Sequence, residues 1–233
     1  MDPQIAVTDA VRFIHILAVS IGLGAAFMAE FIALSRINSR IDEATIDRME
    51  TCHKLIWAAL IGMWISGIGM IYIRTDFDIA NFSPKLFSKL GTVSILTANA
   101  VLIGAIAMPM LRAARGKIVL QLPLVRLLTM TALGAISTAS WMLALAMGIS
   151  KVLANGDWPM FEHIVPFVYM GAILGASAMM VMLRLRLAAL GNASTPATAR
   201  PVPTPVHVLP VRATPVRLVP ARATPLRAAS ARG

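Results

Sequence analysis

The sequence predicts an all-α protein: an integral membrane bundle of five transmembrane helices followed by a disordered C-terminal tail. Three observations lead there. Hydrophobic residues make up 58% of the chain and charged residues only 14%, where soluble domains carry about 25% charged residues. Five apolar runs reach the roughly 20 residues needed to cross a hydrocarbon core. From Ala189 onward the composition turns to proline, arginine and small residues, with no acidic residue at all. Residues 1–188 therefore read as the transmembrane domain and 189–233 as the tail.

The first span covers about 11–34 and includes RFIHILAVSIGLGAAFMAEF. At about 100° per residue, His15, Gly22, Ala26 and Glu30 share one face within about 80° of arc. His15 and Glu30 stand about 22 Å apart along the axis at about 1.5 Å per residue. An ionisable side chain at membrane depth is costly unless it faces the protein interior, so this face is expected to be buried. Gly22 and Ala26 form a small-xxx-small notch for a neighbouring helix. Asp2 and Asp9 precede the run without a basic cluster, and the run is too long for a signal h-region, so it reads as a retained anchor.

The segment SRINSRIDEATIDRMETCHK mixes both charge signs, and Ile37, Ile41, Ile46 and Met49 follow helical spacing. It reads as an amphipathic extension or an interfacial helix. The second span covers about 54–73, with Trp57 and Tyr72 at the depth of aromatic belts. The third covers 86–108 and is expected to stop at Pro109. The fourth, 124–150, is rich in small and hydroxylated residues, and the fifth, 161–187, carries Gly171 and Gly175 four apart.

Arg36, Arg40, Arg48 and Lys54 lie between spans one and two, and Arg112, Arg115, Lys117 and Arg126 between spans three and four. Arg184 and Arg186 end the fifth. The positive-inside rule then puts the N-terminus outside and the C-terminus in the cytoplasm, as a multi-pass protein of a bacterial-type inner membrane. In the tail, Pro205, Pro210, Pro215, Pro220 and Pro225 recur every five residues, as do Arg212, Arg217, Arg222, Arg227 and Arg232. Proline at this density excludes helix and central strand. The arginines suit anionic lipid headgroups. The tail lacks the interleaved aromatics of a single-strand nucleic-acid binder, and nucleic acid is not an expected partner.

This orientation sorts the ionisable residues into two layers. His15, Lys89, Glu162 and His163 belong to the outer end, and Glu30, Cys52 and His53 to the inner end. Lys89 shares a face with Thr92 and Asn99. Glu30, Asn99 and His53 are the remaining buried polar candidates, and an interhelical hydrogen bond is the plain role for Asn99. His15 is either a hydrogen-bonded interior imidazole or a haem ligand, metal ligand or proton relay. His163 is a second candidate cofactor ligand. The single cysteine excludes an intrachain disulfide and a cysteine-based metal cluster. The fifteen methionines read as packing or lipid contacts, Met179 and Met180 included. No zincin, Walker, GxSxG or dinucleotide pattern is present.

The run DAVRFIHILAVSIGLG at 9–24 with KLGTVSILT at 89–97 resembles a group of small bacterial membrane proteins. The group includes the HemJ-type protoporphyrinogen oxidases and the CopD-like copper-resistance proteins. The resemblance covers about residues 9–110. It implies haem b held by His15, with Lys89 as the catalytic partner near substrate. The first span lacks the tryptophan that often precedes the glycine, and Asn99 stands where a second histidine would be expected. Three functional readings follow: a haem-binding redox protein, a small transporter or metal-handling protein, and a non-catalytic accessory subunit with a homo-oligomeric or membrane partner.

Overall fold

Each apolar run becomes one long helix in the computed structural model, which describes residues 3–154 and 156–193. The five are α1 (Pro3–Ser35), α2 (Glu43–Thr75), α3 (Pro84–Ala113), α4 (Leu124–Ile149) and α5 (Trp158–Ala193). No strand occurs among the described residues. All five are long and apolar enough to cross a membrane. This is an integral, multi-pass membrane architecture in contact with lipid. Helices of 33 residues, as α1 and α2 are, run about 50 Å, so their ends project beyond a core about 30 Å thick.

Helix α1 packs along α2, and α4 packs on both α3 and α5. The two groups meet where the predicted notch lies. Gly22 and Ala26 are buried, and the notch receives a side chain rather than a helix backbone alone. The ring of Trp141 from α4, 1% exposed, occupies the space a Cβ on Gly22 would need, with Ala59 of α2 beside it. Around them Ala18, Ala25, Leu60, Met63, Leu96 and Ala100 form the central core.

The amphipathic segment between the first two spans divides. Residues 36–42 form a tight connection, and 43–53 become the first turns of α2. Asp42 causes this, because its side chain caps the helix by accepting from the Thr45 backbone N–H at 2.8 Å. Hydrogen bonds from the Thr45 hydroxyl and then its N–H hold the Asp42 carboxyl below its ordinary value. The charged cap is therefore complete above the normal carboxylate range and is lost only as pH falls through that lowered value. Ile41 and Ile46 are buried within the bundle. They pack with Met108, Leu111, Ala114 and Leu122.

Pro109 does not end the third helix. A π turn at Ile103–Ala107 sends the Met108 N–H to the Ile103 carbonyl, five residues back. Pro109 then falls in the first turn of the segment Met108–Ala113, where its missing N–H is tolerated. Helix α5 likewise runs through Pro166 and continues to Ala193, past the expected boundary at 188. The proline–arginine tail from 194 onward lies outside the described residues.

The connections after α1 and after α3 meet at one end of the bundle. The Ile41 N–H donates to the Lys117 carbonyl (3.0 Å), and the Gly116 N–H to the Ile41 carbonyl (2.8 Å). Gly116 holds a φ of 77° there, a conformation that favours glycine. Arg112 pairs with Glu50 (2.6 Å) and Arg115 with Glu43 (2.7 Å). The basic clusters therefore gather at one end. At the other end Phe82, Phe87 and Trp158 stack at centroid distances of 5.4 and 5.5 Å, as an aromatic belt would.

The notch makes a paired prediction. Gly22→Ala should cost about 1–3 kcal/mol, because the Trp141 ring must leave its seat. Gly24→Ala, which meets nothing within 4 Å, should be neutral or stabilising by up to about 1 kcal/mol. Thermal unfolding in one detergent compares the two directly.

Candidate functional site

The buried face of α1 carries a polar group toward each end, and the two sit in different surroundings. At the aromatic end, His15 Nδ1 lies 2.9 Å from Ser66 Oγ on α2. Ser66 uses its own proton on the Gly62 carbonyl at 2.6 Å. With the Ser66 proton on that carbonyl, a neutral His15 donates from Nδ1 and keeps the lone pair on Nε2. The ring lies over Gly67, 3.7 Å from the Cβ position there. Lys89 of α3 is near enough to His15 to interact with it electrostatically. No hydrogen bond joins His15 and Lys89 among the described residues. His163 does not join them. Its Nδ1 bonds the Pro159 carbonyl one turn back at 2.6 Å, and both it and Glu162 are exposed.

At the basic end, Glu30 of α1 and His53 of α2 line a cavity of about 540 Å³ to which all five helices contribute. This size is typical of small-molecule sites. Glu30 accepts one long hydrogen bond, from the Thr138 hydroxyl at 3.4 Å. It forms no ion pair among the described residues. Gly134 makes room for it, since a Cβ there would stand 2.9 Å from Glu30 Oε1. His53 is held by Trp57, one turn on, whose indole N–H donates to His53 Nε2 at 3.1 Å. The imidazole is therefore uncharged in this arrangement, with its hydrogen on Nδ1. Gly104 leaves it space, with a Cβ position 3.0 Å from Nε2.

The rest of the cavity wall is overwhelmingly apolar. Six methionines line it: Met49, Met108, Met130, Met142, Met179 and Met180. Two of its lining residues, Leu34 on α1 and Met179 on α5, are 51% and 53% exposed. The cavity wall is therefore not sealed: apolar residues of α1 and α5 that line it are also exposed on the outside of the bundle, and Arg36 lines it at the basic end. Asn99 lies outside this wall. It donates to the Leu133 carbonyl of α4 at 3.0 Å, while its side-chain oxygen is buried without a hydrogen bond. Cys52 is buried and free.

No group of three or more His, Cys, Asp or Glu converges among the described residues. His15 belongs to no such group among the described residues. No known protein family, curated protein or solved structure matches the chain. Spacing alone could have found the His53–Trp57 pair, at i and i+4. The cavity needed the helix order, which spacing does not contain.

The two histidines make a spectroscopic prediction. At pH about 9, well above the ordinary imidazole value of about 6.5, ¹⁵N NMR should find both in the Nδ1–H tautomer. Ser66→Ala should shift the His15 signals alone, and Trp57→Phe those of His53 alone.

Proposed function

We propose that this membrane protein binds a small lipophilic molecule within the bilayer, in the cavity between Glu30 and His53, and works as a small carrier. One observation carries the reading: an apolar cavity of drug-like size, with a single carboxylate on its wall, among helices long and apolar enough to cross a membrane. A molecule dissolved in the membrane would reach it without passing through water. Flexible, polarisable methionine walls adapt to more than one shape. The gathering of basic connections at the cavity's end supports an inner-membrane orientation with that end in the cytoplasm and the N-terminus outside.

Filling the cavity tests this. Ala172→Phe and Ala176→Phe, one turn apart on α5 and both on the wall, should remove binding of N-phenyl-1-naphthylamine, read by native mass spectrometry of the detergent-purified full chain. Unchanged binding in the double variant would contradict the reading.

A second reading rests on the His15 tautomer. An imidazole anchored through Nδ1 with Nε2 available is what a haem or metal ligand requires. The resemblance to HemJ-type oxidases also points to His15 and Lys89. His15 is the residue that would hold the iron, and haem would supply one-electron chemistry. His163 is likewise anchored through Nδ1, to the Pro159 carbonyl of its own helix, and lies on an exposed face. A reduced-minus-oxidised haem spectrum that vanishes in His15→Ala would support this reading. A colourless protein after expression with ample haem would end it.

A further inference from the structure

The cavity's charge balance says more than its size does. Two charged side chains line it, Glu30 and Arg36. Arg36 lies beyond the end of α1, and its guanidinium reaches Asp42 at 4.0 Å. Its charge is thereby partly offset outside the cavity. His53 accepts the Trp57 N–H and contributes no charge. Glu30 is left with one hydrogen bond of 3.4 Å and an apolar wall. A carboxylate so placed is poorly satisfied. A neutral ligand leaves it so, and an anion adds like-charge repulsion. A group so placed is either protonated or paired, and a cation supplies the pair.

Resting on the cavity reading above, we propose that the occupant is a lipophilic monocation, of the amine or quaternary-onium class. Its charged centre sits against the Glu30 carboxylate and its apolar body among the methionines. Such a molecule carries its own apolar surface into the bilayer and meets its counter-ion only inside the protein. Gly134 is part of the device, because it keeps the carboxylate side of the cavity open. The thioether walls contribute polarisable contact without fixing one shape, so charge rather than outline would set selectivity.

The test compares two probes of nearly one shape: tetraphenylphosphonium and uncharged tetraphenylsilane. Binding to the detergent-purified full chain is read by native mass spectrometry. The natural chain should prefer the cation by about tenfold, the scale of one ion pair in a desolvated site. Glu30→Gln should abolish that preference, and Glu30→Asp should keep it. The aspartate variant also guards against a fold lost at this position. Equal binding of both probes by the natural chain would overturn the monocation inference and leave the lipophilic cavity standing, as would a preference that survives in Glu30→Gln. Binding of neither probe would overturn both.

Discussion

A carboxylate inside an apolar span cannot face lipid, and Glu30 imposes that constraint on the whole bundle. It fixes which side of α1 turns inward, and so brings His15, Gly22 and Ala26 inward with it. It requires a neighbour with no side chain, which Gly134 provides. The packing around Glu30 is open on one side, where the cavity lies. Five helices line that cavity without sealing around Glu30. The tight seam lies elsewhere, at Gly22 and Trp141, and holds α1 and α4 together a few turns away. Dense packing in one layer thus permits open space in the next.

The two ends of α1 are built for different tasks. At His15 the hydrogen-bond chain from Nδ1 to Ser66 to the Gly62 carbonyl sets a tautomer and frees one nitrogen. At His53 the Trp57 indole occupies the corresponding nitrogen instead. The two imidazoles therefore differ: His15 can keep a nitrogen lone pair free, while His53 is a neutral part of the cavity wall. That difference comes from one hydroxyl and one indole rather than from burial.

Much of this was legible in the residues. The face His15–Gly22–Ala26–Glu30 followed from helical spacing, and all five spans from apolar length. The basic linkers announced which connections share an end. Other features were not legible, for reasons that can be named. Pro109 reads as a stop because a proline removes a hydrogen bond, but a π turn upstream shifts the bonding register and absorbs the loss. Ile41 and Ile46 read as a membrane-surface stripe because spacing cannot say what a stripe faces. They meet Met108 and Leu111, residues more than sixty positions away. The methionines read one by one as packing, and Met179 and Met180 become a cavity wall only once α5 is set beside α4. His163 was grouped with His15 by depth, and spacing did not show that it bonds its own helix at the Pro159 carbonyl.

The central claim is that Glu30 is reached from the bilayer and not from water. Carbodiimide labelling tests it directly, using dicyclohexylcarbodiimide as the lipid-soluble reagent and a water-soluble carbodiimide beside it, with peptide mapping of the adducts. The account predicts that the lipid-soluble reagent modifies Glu30, and that the water-soluble one modifies the exposed Glu43 while sparing Glu30. Labelling of Glu30 by the water-soluble reagent, or resistance to the lipid-soluble one, would contradict it.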